Sequence, residues 1–190
     1  MVSNQSPQAP HSLDLVVDFV NTLDLENATD ELGEPATAAA WFAARGLIAP
    51  DERLSARQRG ESVELREALR ALLLEHSGGA PAPPDAAETL ERVAAEGALG
   101  VRFGPGAESE IAPRSRGFAA ALAAILVPVV QASDDGSWLR VKACRADGCN
   151  WAFYDRSRNR SGVWCEMAVC GNREKVRSYR DRKRAHSPRG

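Results

Sequence analysis

The sequence predicts a mostly helical α+β protein, with a helical N-terminal domain that holds one small β-hairpin and a small C-terminal module. Three observations support this fold class. Apolar residues recur at helical spacing through most of residues 1–137. All four cysteines of the 190-residue chain fall within residues 144–170. The charge is also divided: 10 basic and 21 acidic residues give −11 for residues 1–137, and 14 basic and 5 acidic residues give +9 for residues 138–190.

The overall composition is that of a soluble globular protein, with 44% apolar and 26% charged residues. The N-terminus lacks the layout of a signal peptide, and the longest apolar run, residues 118–130, is shorter than the roughly 20 residues that span a bilayer. We therefore expect a cytoplasmic protein. In a reducing compartment, cysteines are more often metal ligands or free thiols than disulfides.

The charge division predicts the domain organisation. We expect a flexible tail over residues 1–10, an N-terminal domain over residues 11–137, a C-terminal module over residues 138–184 and a second tail over residues 185–190. Blocks of opposite charge indicate modules with different partners, and the basic module suits a polyanion.

The first two helices are predicted from short apolar patterns. Apolar residues at positions 13, 16, 17 and 20 form one helical face, and Ser12 precedes them as an N-cap. A second helix is expected over residues 38–45, capped by Thr37 and ended by Gly46. Trp41 and Phe42 are its expected buried residues.

Two longer helices follow. Ser55 opens a pattern that runs to about His76, with an apolar stripe formed by Leu65, Leu69, Leu72 and Leu73. After a proline-rich linker, Asp85 and Glu88 form a capping-box-like pattern for a helix that ends near residue 97.

A hairpin and a last helix complete the predicted N-terminal domain. Two short strands, residues 101–104 and 108–112, flank the turn signal Pro105-Gly106. Ser115 is the expected cap of a helix that continues to about residue 132, where Pro128 should cause a kink or an adjusted last turn.

Polar residues near the end of the first helix are the only candidate small-molecule site in this half. Asp18, Asn21 and Thr22 lie close in sequence, either as a solvated helix face with a helix-end cap or as a polar ligand pocket. His11 and His76 are isolated from other metal-ligating residues. Because no catalytic constellation is present, we expect no enzyme.

The four cysteines have the spacing C-x4-C-x15-C-x4-C, at Cys144, Cys149, Cys165 and Cys170. Zinc prefers four tetrahedral ligands delivered as two short-spaced pairs, and the turn dipeptide Asp147-Gly148 lets the first pair face one point. The spacing therefore predicts one Zn²⁺ ion, with two disulfides or unrelated thiols as alternatives. Four thiolates leave no open coordination position, so the site should be structural.

The C-terminal sequence resembles a known family. The tetrad at residues 170–173 reads CGNR, and it closes the stretch WAFYDRSRNR at residues 151–160 and the pair Trp164-Cys165. Over roughly residues 139–184 the chain thus resembles the bacterial CGNR zinc-finger family. One departure follows Ser161, where the family often carries arginines and this chain has Gly162 and Val163.

The resemblance also implies a function. In that family the finger usually follows a domain known as ABATE, and residues 15–22, LVVDFVNT, resemble the start of that domain, which would extend to about residue 133. Members are described as candidate stress-induced transcription regulators whose finger is proposed to bind DNA. The resemblance therefore implies a zinc-containing regulator.

A strand and a basic helix are predicted within the finger. Residues 151–154 should pair with a strand that contains Leu139 and Val141, and Phe153 and Trp164 should cover the zinc site.

The final helix should be capped by Asn172 and run over residues 173–184, with Val176 and Tyr179 sealing it onto the finger. The candidate nucleic-acid contacts are Arg158, Arg160, Arg173, Lys175, Arg177, Arg180, Arg182, Lys183 and Arg184.

Several alternatives remain open for the basic module. It could contact an acidic protein surface or be a solvated tail, and Arg173 could balance the charge of the zinc thiolates. The acidic N-terminal domain could dock onto the finger as an autoinhibitor. We expect a DNA-binding regulator whose N-terminal domain senses a small-molecule effector or forms a homodimer. The alternative is a zinc-stabilised protein-interaction adaptor that does not bind DNA.

Overall fold

The structure is a computed structural model that describes residues 13–185. Within this range the helices are α1 Asp14–Val20, α2 Pro35–Ala44, α3 Ala56–His76, α4 Pro84–Glu96, α5 Phe118–Asp134 and α6 Asn172–Ala185. The strands are β1 Leu23–Asp24, β2 Thr29–Asp30, β3 Leu99–Phe103, β4 Ser109–Pro113, β5 Val141–Ala143 and β6 Ala152–Tyr154. They form three antiparallel hairpins, β1–β2, β3–β4 and β5–β6. The mostly helical α+β prediction is confirmed.

Helix α3 begins and ends close to its predicted limits. The Ser55 hydroxyl accepts the N–H of Gln58, and the Gln58 side chain accepts the N–H of Ser55, which completes a capping box. At the other end, the Ser77 hydroxyl lies 3.0 Å from the Leu73 carbonyl and 2.6 Å from the Ala143 carbonyl. The end of α3 is thereby joined to strand β5.

Two helices begin earlier than predicted because a proline occupies their first position. Helix α2 begins at Pro35, so Thr37 is its third residue rather than its cap, and the Thr37 hydroxyl accepts the N–H of Glu34. Helix α4 begins at Pro84, and Asp85 lies inside its first turn. Proline is favoured at the first helical position, where its missing N–H breaks no hydrogen bond.

The start of α5 also differs from the prediction. Its cap is Gly117, which has φ +67°, and the predicted cap Ser115 has a buried hydroxyl without a protein partner. The helix continues past the buried Pro128 to Asp134. The proposed cap Ser12 and the two predicted tails lie outside the described residues, apart from Ala185, which ends α6.

The core lies between α1, α2, α3 and α5. Its aromatic centre joins Phe19, Trp41, Phe42 and Phe118, whose neighbouring ring centroids are 5.1–6.1 Å apart. Edge-to-face and tilted contacts at such distances are favourable for aromatic rings. Trp41 and Phe42 are buried, as the sequence predicts.

The same core continues into the cysteine module. Val141, Ala143 and Ala152 of the β5–β6 hairpin are fully buried in one apolar cluster with the α3 residues Leu65 and Leu69. The hairpin therefore packs on α3 as part of the N-terminal core. The predicted division at residue 137 stays a prediction.

The strand partner of β6 differs in one residue from the prediction. Leu139 lies in a 3₁₀ turn, Trp138–Arg140, and is half exposed, whereas β5 begins at Val141. Across residues 13–185, no helix combines the length and the apolarity needed to cross a membrane.

Candidate metal centre and basic helix

Four cysteine sulfurs converge at the end of the β5–β6 hairpin. The Sγ atoms of Cys144, Cys149, Cys165 and Cys170 all lie within 4.8 Å of one another. The sulfur–sulfur distance is 3.7 Å for Cys149–Cys165, 3.6 Å for Cys165–Cys170 and 3.8 Å for Cys149–Cys170. A tetrahedral site with Zn–S bonds of about 2.3 Å has sulfur–sulfur edges of about 3.8 Å. The cluster therefore has the size that zinc requires.

The backbone around the first cysteine pair aims both sulfurs inward. Cys144 continues β5, and its N–H donates to the Trp151 carbonyl at 2.8 Å, while the Cys149 N–H donates to the Ala146 carbonyl at 3.0 Å. Gly148 has φ +73°, a conformation that favours glycine at this turn. The predicted Asp147-Gly148 turn thus closes the loop between the two ligands.

The second pair lies on a short loop that leads into α6. Cys165 precedes a single π-helical turn, Met167–Gly171, which carries Cys170 and runs directly into the helix. A Cβ atom on Gly171 would lie 3.1 Å from Trp164 Cδ1 and would overlap the Met167 sulfur. A larger residue at this position would have to displace the exposed Met167 side chain and crowd Trp164 beside the last ligand.

The thiols are too crowded to ionise together without a cation. Hydrogen bonds from Cys149 and Cys165 lower the pKa of the Cys144 thiol, whereas hydrogen bonding to Cys144 raises the pKa of Cys149 and of Cys165. Burial raises the pKa of Cys170. Four thiolates at this spacing need a cation, and Zn²⁺ supplies that charge when bound.

Apolar side chains pack against part of the sulfur cluster. Phe153 is buried in the same cluster as Cys144, Cys149 and Cys170, and Trp164 packs against that cluster as predicted. Such a cover limits the access of water to the ligands. The four cysteines are free rather than disulfide-bonded, and they suit one structural zinc ion.

A buried ion pair holds the loop that follows β6. Lys142 Nζ lies 2.8 Å from Asp155 Oδ2, and the side chains are only 4% and 3% exposed. The ammonium group also donates to the carbonyls of Arg160 and Gly162. All three of its donors are therefore used, as a buried charge requires.

The carboxylate of Asp155 also has several hydrogen-bond donors. It accepts the N–H groups of Ser157 and Gly162 in addition to Lys142. Burial favours the neutral acid, but the hydrogen bonds from Lys142, Ser157 and Gly162 outweigh it and lower the pKa of Asp155 to about 2. A Cβ atom on Gly162 would lie 2.8 Å from the Asp155 carboxylate. Glycine, which stands here where the family often carries arginine, therefore suits the close packing against Asp155.

Polar side chains of the N-terminal domain bind the base of the finger. Asn21 pairs with both backbone groups of Ala152, with its Nδ2 3.0 Å from the carbonyl and its Oδ1 2.7 Å from the amide nitrogen. The buried Arg70 donates to the Asn150 and Val20 carbonyls at 2.9 and 2.8 Å. The bonds to Ala152 and Asn150 connect residues 80 or more positions apart in sequence.

The candidate ligand residues make separate contacts within the protein. Asp18 forms a surface ion pair with Arg45 at 3.3 Å, and Asn21 is engaged by β6. Thr22 is buried, donates to the Phe19 carbonyl at 2.8 Å and lies 3.3 Å from Arg66. Each side chain therefore serves a contact within the protein.

Helix α6 is exposed along most of its length, and its contacts with the rest of the protein are mainly polar. Val176 is 49% exposed and Tyr179 is 61% exposed, so the prediction that they seal the helix onto the finger is wrong. Asn172 is not a cap either: it has helical backbone angles and its side chain donates to the Ala168 carbonyl at 2.9 Å. The helix continues directly from the preceding π turn, whose carbonyl groups accept the N–H of the first residue of α6, so no capping side chain is needed.

The charges of α6 are sorted by side. Successive residues of a helix are rotated by about 100°, which gathers seven exposed residues into one arc of about 140° that we call the basic face. Its members are Asn172, Arg173, Val176, Arg177, Arg180, Lys183 and Arg184. The two acidic residues of the helix, Glu174 and Asp181, lie outside this arc, in a groove beside Asp147 and the proline-rich segment after α3. Asp181 also borders the basic face, and Glu174 lies 3.8 Å from Arg177.

Two arginines of the basic face contact carboxylates of the protein itself. Arg173 Nη2 lies 2.6 Å from Glu26 Oε1, and Arg177 Nη1 lies 2.5 Å from Asp147 Oδ2. The pKa of Arg173 is raised mainly by its hydrogen bond to Glu26, and the sulfurs of Cys170 and Cys149 add a weaker attraction. Arg173 thus lies between the zinc site and the N-terminal domain.

The other candidate contacts are also on the surface. Arg158 and Arg160 are exposed on the loop that Lys142 and Asp155 hold. Lys175 and Arg182 lie on α6 outside the basic face, and Arg182 is exposed. The structure thus offers a helix and a loop as basic elements of the finger.

Sequence reasoning missed the residues that fix the finger in place. Lys142 lies between two buried apolar residues of the same strand, Val141 and Ala143. This position could have indicated that its charge is buried. Asp155 belongs to the family stretch, but its partner lies 13 residues away on another strand. The contacts of Asn21 and Glu26 with the finger have no local signal.

Sulfur geometry, burial and the adjoining basic helix define a zinc-finger protein with four cysteine ligands, built on a helical N-terminal domain. Comparison with known families agrees with this class. The CGNR zinc finger model matches residues 140–183, and the ABATE model, described as "Putative stress-induced transcription regulator", matches residues 13–143. No curated protein matches the chain.

The chain belongs to the ABATE family and carries a CGNR zinc finger. The two matches overlap at residues 140–143, the segment that holds strand β5. This overlap agrees with the packing, in which β5 contributes to the N-terminal core and leads into the first zinc ligand.

Proposed function

We propose that the protein is a DNA-binding transcription regulator whose zinc finger presents the basic face of α6 to duplex DNA. The observation that carries this proposal is the sorting of charge on α6. Five of its seven cations share one exposed face, and its two acidic residues, Glu174 and Asp181, lie at the edge of that face rather than within it. Phosphates are attracted by such a face, and phosphate contacts supply most of the non-specific affinity for DNA.

The dimensions of α6 also support DNA binding. Its 14 residues correspond to a rod of about 21 Å, which can lie in a major groove. Cys170 and Gly171, which directly precede α6, are buried beside the zinc site and fix the point where the helix begins. A rigid base of this kind lowers the entropy lost when the helix docks.

The loop between β6 and the second cysteine pair adds a smaller basic element. Its Arg158 is exposed, and the buried Lys142–Asp155 pair fixes the loop that carries it. In this proposal the loop contacts DNA phosphates next to those that α6 contacts. The N-terminal domain would then act as a sensor of an effector or as a dimerisation unit, without catalysis.

A protein-interaction adaptor is the second candidate function. Exposed apolar side chains favour it, because Met167, Val169, Val176 and Tyr179 are 44–61% exposed on or beside α6. A stoichiometric protein partner that remains bound at high salt and after nuclease treatment would support the adaptor over the DNA-binding regulator.

DNA binding is tested by fluorescence anisotropy of the zinc-loaded full-length protein with genomic duplex fragments at several salt concentrations. The variant Arg180→Ala/Arg184→Ala should weaken binding and reduce the slope of log K against log salt by about 2. The matched control Arg102→Ala/Arg116→Ala removes the same charge from exposed N-terminal positions and should change the slope little. Absence of binding by the wild-type protein at low salt would refute the proposal.

A further inference from the structure

The turn between β1 and β2 reaches across to the finger. Glu26 lies in this turn and belongs to the N-terminal domain. Its Oε1 accepts a hydrogen bond from Arg173 Nη2 at 2.6 Å, although the two residues are 147 positions apart in sequence. Arg173 follows the last zinc ligand and lies on the basic face. The contact therefore links the acidic domain directly to the proposed DNA-binding surface.

The position of Glu26 is fixed by its own hairpin. Asp24 Oδ1 accepts the N–H groups of Glu26 and Asn27 at 2.9 and 3.0 Å, which shapes the turn. Asp30, at the other end of the hairpin, forms a bidentate pair with the buried Arg66 at 2.5 and 3.2 Å. The carboxylate of Glu26 is thus presented to the finger by an anchored turn.

A carboxylate and a phosphate bind a guanidinium group through the same donors. Both accept charge-assisted hydrogen bonds from the planar N–H groups of arginine. While Glu26 holds Arg173, a DNA phosphate at this position has to displace it. Arg177 is engaged in the same way by Asp147, but that partner belongs to the finger itself.

We propose that Glu26 is an intramolecular competitor of DNA phosphate for Arg173, so that the N-terminal domain restrains the finger through this contact. The inference rests on the proposed function and concerns its regulation. Release of Glu26 on DNA binding would free the β1–β2 turn. That turn is joined through Asp30 to Arg66 in the middle of α3, which gives the N-terminal domain a route to respond to DNA.

The test compares Glu26→Gln with Glu31→Gln, which makes the same charge change at an exposed position next to β2. Each variant is also combined with Arg173→Gln. Binding is measured by anisotropy with duplex DNA and, separately, with inorganic polyphosphate, on zinc-loaded full-length protein. We expect Glu26→Gln to bind both probes about two- to five-fold more tightly than Glu31→Gln at low salt, in keeping with the modest strength of an exposed ion pair. When Arg173→Gln is also present, the Glu26→Gln and Glu31→Gln variants should bind each probe with equal affinity.

The outcomes separate this inference from the proposed function. Equal affinities for Glu26→Gln and Glu31→Gln, or a gain that persists without Arg173, would overturn the competition. If the wild-type protein binds no DNA, the proposed function fails. The polyphosphate measurements still decide whether Glu26 and an anionic chain compete for Arg173.

Discussion

The two halves of the finger differ in how they are attached to the protein. Its base, the β5–β6 hairpin, shares an apolar core with α3 and is bound by Asn21, Arg70 and Ser77. Its tip, α6, is exposed along nearly its whole length. The finger is thus an extension of the N-terminal domain that ends in a projecting basic helix, and zinc joins the two halves.

The largest expected effect is the loss of a zinc ligand. Cys149→Ser should reduce bound zinc well below one ion per chain after dialysis, because the fourth position is left to water or a hydroxyl, which bind zinc much more weakly than a thiolate does. The base should remain folded through its contacts with α3, whereas α6 should lose its helical structure. Metal analysis and circular dichroism test this outcome. Loss of the whole fold would contradict the division into an attached base and a projecting tip.

The next effect concerns the buried ion pair. Asp155→Asn leaves the charge of Lys142 buried without a counter-ion, and we expect the free energy of unfolding to fall by about 3–5 kcal/mol. Chemical denaturation measures the loss, with the exposed Asp51→Asn as the matched control. The double variant Lys142→Met/Asp155→Asn should be less destabilised than Asp155→Asn, because it removes the uncompensated charge and keeps an acceptor oxygen for the loop N–H groups. Wild-type stability in the single variant would show that the pair does not hold the base.

A smaller loss is expected at the contact between the domain and the finger. Asn21→Ala removes two hydrogen bonds and leaves the backbone groups of Ala152 unpaired, which should cost about 1–3 kcal/mol. The exposed Asn159→Ala serves as the control in thermal unfolding. If the two variants melt alike, Asn21 does not contribute to the attachment.

The smallest effect is a pH dependence at the end of α3. Burial lowers the pKa of His76, whose Nδ1 lies 2.9 Å from the Val141 carbonyl. Because the folded pKa is lower than the unfolded value, the stability from the neutral ring is present above about pH 6.5 and is lost as the pH falls through the folded pKa. His76→Phe should flatten stability between about pH 7 and pH 5, as measured by urea unfolding. An unchanged pH profile would mean that His76 is not the titrating group.

Much of the tightly attached region was predictable from local patterns. The cysteine spacing predicts the zinc ligands because two short loops can deliver four thiolates. Ser55 and Gln58 predict the start of α3 through the capping box. The starts of α2 and α4 lie outside the predicted limits because Pro35 and Pro84 occupy first helical positions, which apolar periodicity does not indicate.

The remaining features depend on contacts that sequence patterns do not encode. Asn21 and Ala152 are 131 residues apart, and nothing near either residue signals their pairing. Val176 and Tyr179 have the spacing of a buried stripe, yet both are left largely exposed in the described part of the chain. Periodicity predicts which residues share a helix face, but the tertiary fold decides whether that face is covered.

The most direct measurement is hydrogen exchange on the zinc-loaded full-length protein. The amides of β5 and β6 should be protected to the same extent as those of α3, since all three belong to one core. The amides of α6 should exchange far faster, because a 14-residue helix with little buried surface is marginal in water. Protection of α6 equal to that of α3, or rapid exchange of β5 and β6, would contradict the account.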